Sequence, residues 1–148
     1  RYSLVISLMS TIEACLVRLC RVADKHLAIV IPFKELGKGR KSVITQALDH
    51  LHEKGGIDLK RMDHYTCLAD NLRKLRNAIT HSEGCINGRT DEAAIQDFAN
   101  SSSGINIDQR MYIVLSDRFV GGMVHVMHLF VNNVHRKLRQ MPPRSEVR

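Results

Sequence analysis

The sequence has no Trp, three Pro and nine Gly among 148 residues, which excludes a collagen-like or loop-rich chain. Acid is scarce as well: 15 Asp and Glu stand against 22 Lys and Arg, a formal net charge of +7. That balance favours an anionic partner, most often nucleic acid. The four cysteines, Cys15, Cys20, Cys67 and Cys85, form no CxxC pair and no evenly spaced framework. A disulfide scaffold is therefore excluded, and a reducing compartment is expected, with the thiols acting as small hydrophobes. Long hydrophobic runs are missing too. Leu27 to Phe33 contains Pro32, and Phe119 to Val131 carries His125 and His128, so both fall short of the roughly 20 apolar residues that span a bilayer. The opening stretch, Arg1 to Leu19, has the look of a signal peptide, but Glu13 and Arg18 interrupt it and no A-x-A cleavage signature follows. The expectation is a cytoplasmic protein with no membrane partner.

What is present is a core's worth of aliphatic residues. With 44% hydrophobic and 25% charged residues the chain is not a disordered one. At this length folding buries roughly two thirds of the extended surface, so neither disulfides nor a metal is needed to hold a core. Leu4, Leu8, Ile12, Cys15, Leu19 and Val22 recur at three- and four-residue steps, predicting a first helix over about residues 3–27 with that stripe inward. Pro32 and the basic stretch at 34–41 predict a loop. Ser42 is a candidate N-cap for a shorter helix with Ile44, Ala47, Leu48 and Leu51 inward, ended by Gly55 and Gly56. Leu68, Leu72, Leu75 and Ile79 mark a third helix, closed by a turn over residues 82–88. Thr90, followed by Asp91 and Glu92, predicts a short helix through Ile95 and Phe98, stopped by the polar run at 100–104.

Residues 105–107 and 111–115 are β-branched or apolar runs spaced for a small hairpin. Ser116 or Asp117 then caps a last helix with Phe119, Met123, Met127, Phe130, Val134 and Leu138 inward, in which Gly121 and Gly122 mark a kink or a close helix contact. The predicted fold is all-α, a bundle of four to five helices with a small β-hairpin at about 105–115 before the last long helix. Residues 1–139 form one domain and 140–148 a tail.

The chemistry-bearing segment is Leu72-Arg73-Lys74-Leu75-Arg76-Asn77-Ala78-Ile79-Thr80-His81. With Leu75 central to the buried face, Arg73, Asn77 and His81 fall opposite it at four-residue intervals, and Arg76 lies at the flank. A guanidinium, a carboxamide and an imidazole are thereby grouped at a helix end. Such a group can bind a phosphate, orient it and move a proton. A polar stripe opposite an apolar one is, by itself, the ordinary solvated face of a helix. Spacing alone also decides nothing: eight His and 14 Arg predict roughly 0.8 chance occurrences of R-x4-H, and Arg21 to His26 is a second one. Context separates them. Arg76 is followed by a polar residue at the end of a strongly periodic helix, whereas Arg21 is followed by Val22, part of the apolar stripe.

The segment Leu75-Arg76-Asn77-Ala78-Ile79-Thr80-His81 resembles the R-x4-6-H motif of the HEPN superfamily (higher eukaryotes and prokaryotes nucleotide-binding domains). A long first helix, a second helix, the motif at the end of the third and a long final helix are similar to that family's layout over about residues 3–139. The resemblance implies a metal-independent endoribonuclease, commonly the toxin of a toxin–antitoxin or phage-defence system. It also implies a homodimer whose two motif copies face one cleft, with RNA as substrate, an antitoxin as a further partner and no cofactor. Arg76 would stabilise charge on the phosphorane, His81 would be base or acid, and Asn77 would position the phosphate. One departure is Glu83, which stands where family members silenced by adenylylation commonly carry Tyr. That mode of control is put in doubt, and occlusion by an antitoxin or a different regulator stays open. A non-catalytic HEPN-like module that binds a nucleotide or a partner protein is the alternative, and a helical dimerisation domain with an accidental motif a third.

Other candidates are weaker. Lys38, Arg40 and Lys41 in the first loop and Arg73 and Lys74 beside the motif are candidates for tracking an RNA backbone, or form a solvated basic surface. Thr80 and Ser82 flank His81, either to support it or to end the helix. Glu13 either contacts the motif or sits on the surface. His50, His52, His64 and Cys67 have zinc-ligand types but no closed-site spacing, so no metal is expected. His125, His128 and His135 read as surface or core-edge residues.

Overall fold

Five α-helices stand among the described residues of a computed structural model, which are residues 1–29, 31–33, 42–59 and 62–143; the loop predicted at 34–41 lies outside them. The helices are α1 (Tyr2–His26), α2 (Val43–Asp49), α3 (Asp63–Ser82), α4 (Glu92–Ser101) and α5 (Asp117–Arg139). An antiparallel hairpin, β1 (Ile105–Ile107) and β2 (Ile113–Leu115), precedes α5. The fold is thus an all-α bundle with one small hairpin. The described residues fall into two compact units, one of Arg1–Ser10 and Tyr65–Met127, the other of Thr11–His64 and His128–Arg148. Their boundaries lie within α1, α3 and α5 rather than in a linker.

The buried stripe of α1 is not the expected one. Val5, Met9, Ile12, Leu16, Leu19, Cys20, Ala23 and Leu27 are buried, whereas Leu4 and Val22 are exposed and Leu8 and Cys15 are only half-buried. Both sets obey helical spacing, because α1 is apolar around most of its circumference, and periodicity cannot choose between two such stripes. By length and composition alone α1 is also apolar enough for a membrane span, a property that the core helix of a soluble protein shares.

In the unit that holds α2, Ser42 caps the helix by accepting from the Thr45 amide at 3.1 Å. Ile44, Ala47, Leu48 and Leu51 are buried as predicted. The helix continues as a π-helical turn, His50–Lys54, in which the Gly55 amide reaches the His50 carbonyl. Gly56, at φ +70°, then takes the chain out of it. The π-turn carries His50 into the interior, where its Nε2 meets Asp24 Oδ1 at 2.6 Å, and the Phe33 amide donates to the other Asp24 oxygen at 3.0 Å. His50 Nδ1 is buried without a hydrogen-bond partner. One helical turn before Asp24, Cys20 Sγ donates to the Ala47 carbonyl. Burial, and then the negative charge of Asp24, push the Cys20 thiol up to about 12. Lys137 of α5 closes on the Asp58 carbonyl at 2.6 Å, and His26 Nε2 lies 2.9 Å from the Met141 carbonyl.

In the other unit the hairpin pairs Ile105 with Leu115 and Ile107 with Ile113, both turned so that Ile105, Ile113 and Leu115 are buried. Ser116 rather than Asp117 caps α5, accepting from the Phe119 amide, while Asp117 pairs with Arg1. On α5 Phe119, Met127, Phe130, Val134 and Leu138 are buried and Met123 is half-buried. The expectation of a close helix contact at Gly121 and Gly122 fails: a Cβ at either would meet nothing within 4 Å. α4 starts at Glu92, and the polar run is helical as far as Ser101.

Candidate functional site at the end of α3

Leu72, Leu75, Ala78 and Ile79, with Ala69, bury one side of α3, and Leu68 is half-buried. This leaves the polar stripe on the other side. Arg73, Arg76 and Asn77 are half-buried, and His81, in the last turn, is exposed, as is Thr80. Asn77 and His81 are one turn apart, about 6 Å along the axis. Arg76 lies about 140° around the helix from His81, so on one copy these two side chains leave the backbone in different directions. The three motif residues share a helix end whose free carbonyls favour positive charge.

The expected backbone-tracking residues divide into two groups. Arg73 and Lys74 both close on Asp70, at 2.7 and 2.8 Å, so their charge is partly neutralised in place. Burial alone would raise the Asp70 carboxyl, but hydrogen bonds and charge from Lys74 and Arg73 outweigh it and hold the group below the usual range. Lys38, Arg40 and Lys41 lie outside the described residues. Glu13, half-buried on α1, belongs to the other unit.

The turn after α3 is tied down on every side. Glu83 and Gly84 adopt φ of +52° and +89°, ending the helix in the left-handed region. The Gly84 amide returns to the Ala78 carbonyl, and the Cys85 amide donates to that of Ser82, one of the acceptors the helix leaves open at its end. Residues 84–86 then run beside 111–113: the Ile113 amide donates to Gly84, the Ile86 amide to Met111, and Cys85 bridges Tyr112. Tyr2, from the start of α1, lays its phenol over Gly84 and donates to the Ile113 carbonyl.

Sequence reasoning missed the residues that close this arrangement. Arg89 reaches back from the loop, its Nη1 donating to Ser82 Oγ at 3.1 Å, while its Nε and Nη2 fork onto the Asp91 carboxylate at 2.8 and 3.1 Å. The Arg89 hydrogen bonds first, and then the charges of Arg89 and Arg73, outweigh burial and hold the Asp91 carboxyl below its ordinary value. Asp91, expected at a helix start, therefore makes no side-chain cap to α4 and is spent on Arg89. The only signal in the sequence was the Arg-Thr-Asp order, which any turn can carry. Ser82 is accordingly engaged by Arg89, which neither expectation for it had included.

Among the described residues no group of three or more His, Cys, Asp or Glu is placed to hold a metal ion. His50 is bound to Asp24, and His52 Nδ1 lies against the Ile57 carbonyl. The four cysteines are free, with Cys20 buried and Cys67 exposed. No family model matches the chain, and no curated protein or solved structure matches it.

Proposed function

We propose that this chain is a metal-independent endoribonuclease of HEPN type, acting as the toxin of a toxin–antitoxin or phage-defence system. The observation that carries the proposal is the end of α3, where an exposed imidazole follows a half-buried guanidinium and carboxamide within six residues. RNA brings its own nucleophile, the ribose 2′-hydroxyl. Attack on the adjacent phosphorus forms the 2′–O–P bond and breaks the bond to the 5′ oxygen of the next nucleotide. The proton of the hydroxyl goes to a base and the leaving oxygen takes one from an acid, which yields a 2′,3′-cyclic phosphate and a 5′-hydroxyl. His81 is one of these two groups, Arg76 stabilises the phosphorane and Asn77 orients it.

One chain offers one motif imidazole for two proton transfers, and Arg76 and His81 diverge on the helix. A symmetric homodimer with both motifs in a shared cleft supplies the second imidazole and brings an arginine to each phosphate. The net charge of +7 supplies non-specific attraction for RNA.

The test compares wild type, Arg76→Ala and His81→Ala for RNA cleavage, with end-group analysis of the products and with chelator added. Loss of an acid–base group costs about 10²- to 10⁴-fold, so both variants are expected to leave RNA intact. Identical cleavage by all three proteins would refute the assignment, and cleavage abolished by chelation would refute the metal-independent route. RNA or nucleotide binding without any cleavage would move the reading to a non-catalytic binding module.

A further inference from the structure

The loop that follows the motif helix returns an arginine to it. Arg89 is a candidate either for a second phosphate ligand or for a brace, and its surroundings distinguish the two. Its guanidinium is already forked onto Asp91 through two nitrogens, and the third nitrogen is spent on Ser82. The side chains of Arg89 and Asp91 are only about one fifth exposed. A guanidinium neutralised by a bidentate carboxylate and turned into the protein offers little charge to a passing phosphate. What it does offer is position. Ser82 directly follows His81, and helix ends fray unless something holds their last turn. The loop itself is braced: the Gly88 amide donates to Glu92 Oε2 at 2.8 Å, and the Arg89 amide to the Ile86 carbonyl.

We infer that Arg89, fixed by Asp91, is a positioning residue that acts through Ser82 to hold the last turn of α3 and so orients His81. This rests on the ribonuclease reading above only for its catalytic consequence. The brace keeps the imidazole from swinging with a fraying helix end. Misplacement of a reacting group by about 1 Å costs up to about 10²-fold in rate.

The experiment uses Arg89→Gln, Arg89→Lys, Ser82→Ala and the Arg89→Gln/Ser82→Ala double variant. Steady-state RNA cleavage is measured across salt concentrations, and amide hydrogen exchange is followed at residues 79–82. Arg89→Gln and Ser82→Ala are each expected to lower kcat about 10- to 100-fold with KM and the salt dependence unchanged. The double variant should be no worse than the poorer single one, and Arg89→Lys, which cannot fork and reach Ser82 together, should recover only part of the rate. Exchange at residues 79–82 should quicken in both single variants. Ser82→Ala removes one hydroxyl and leaves the Arg89–Asp91 pair intact, so it guards against a folding failure in Arg89→Gln. A raised KM with a salt slope lower by about one would make Arg89 a phosphate ligand and overturn the inference, as would multiplying losses in the double variant or unchanged exchange. If the wild type cleaves no RNA, the ribonuclease reading fails by itself. The exchange measurement then decides the brace alone, quickened exchange upholding it and unchanged exchange overturning it.

Discussion

Gly84 and Gly88 make a matched pair that isolates what Tyr2 does. Both adopt positive φ, +89° and +72°, so alanine at either position is forced into the left-handed region at about 1 to 2 kcal/mol. Gly88 faces open space, with nothing within 4 Å of an added Cβ. Gly84 lies under the Tyr2 phenol, where an added Cβ would overlap the hydroxyl and come within 2.7 Å of Cζ. Overpacking of that kind costs about 1 to 3 kcal/mol. Displacing the ring to relieve it forfeits the hydrogen bond to the Ile113 carbonyl, about 1 kcal/mol more. Gly84→Ala should thus lose about 3 to 6 kcal/mol against about 1 to 2 for Gly88→Ala. In a domain of this size that is a fall in Tm of roughly 10 °C or more against a few degrees. Urea denaturation with matched m-values measures both, and Tyr2→Ala supplies the decisive background. Without the phenol, the Gly84→Ala penalty should shrink to that of Gly88→Ala. Equal penalties for the two glycines in the wild-type background, or an undiminished Gly84→Ala penalty in Tyr2→Ala, would refute the reasoning.

Three further outcomes can be checked on the same protein. His50→Ala removes the partner of a carboxylate that is only 11% exposed, and should cost about 3 kcal/mol in denaturant titrations. Its loss would be the more telling because Asp24 also holds the Phe33 amide. Thiol alkylation at pH 8, read by mass spectrometry, should label exposed Cys67 in the native protein and leave Cys20 unmodified until the chain unfolds, since its thiol is pushed up to about 12. Equal labelling of the two would contradict the packing around Cys20. Asp91 is held below its unfolded value of about 3.9, so its contribution is present above that pH and disappears as pH falls through the lower folded value. The stability gap between wild type and Asp91→Asn should accordingly be constant near neutrality and close on acidification below about pH 4, and a gap that persisted in strong acid would count against the Arg89 pairing.

The parts of the fold that could be read in advance are those where one face alone is apolar. α3 has Leu72, Leu75 and Ile79 with charge between them, so its buried side and hence its polar stripe were legible. α2 announced itself through Ser42 and the glycine pair. α1 was legible as a helix but not as a face, because Leu4 and Val5, or Leu8 and Met9, are chemically interchangeable neighbours and only tertiary packing picks one. The π-turn at His50 left no pattern, since one residue's change of pitch over five residues does not disturb hydrophobic spacing enough to see. At the end of α3 the placing of Asn77 and His81 one turn apart, with Arg76 on the flank, followed from helical geometry, which is local. The placing of Arg89 did not, because a side chain that returns from a loop has no periodicity to betray its target.

Ile113 joins the start of α1 to the turn that ends α3. Its amide serves Gly84, directly after the motif helix, and its carbonyl serves Tyr2, 111 residues away in the chain. The hydrogen bonds of helix α3 are local, but the setting of its final turn rests on a contact between residues 111 positions apart, whose loop-closure entropy is far larger. The turn that ends α3 is thus held in part by a residue from the far end of the sequence, so a change at residue 2 or 113 reaches that turn without touching the helix itself.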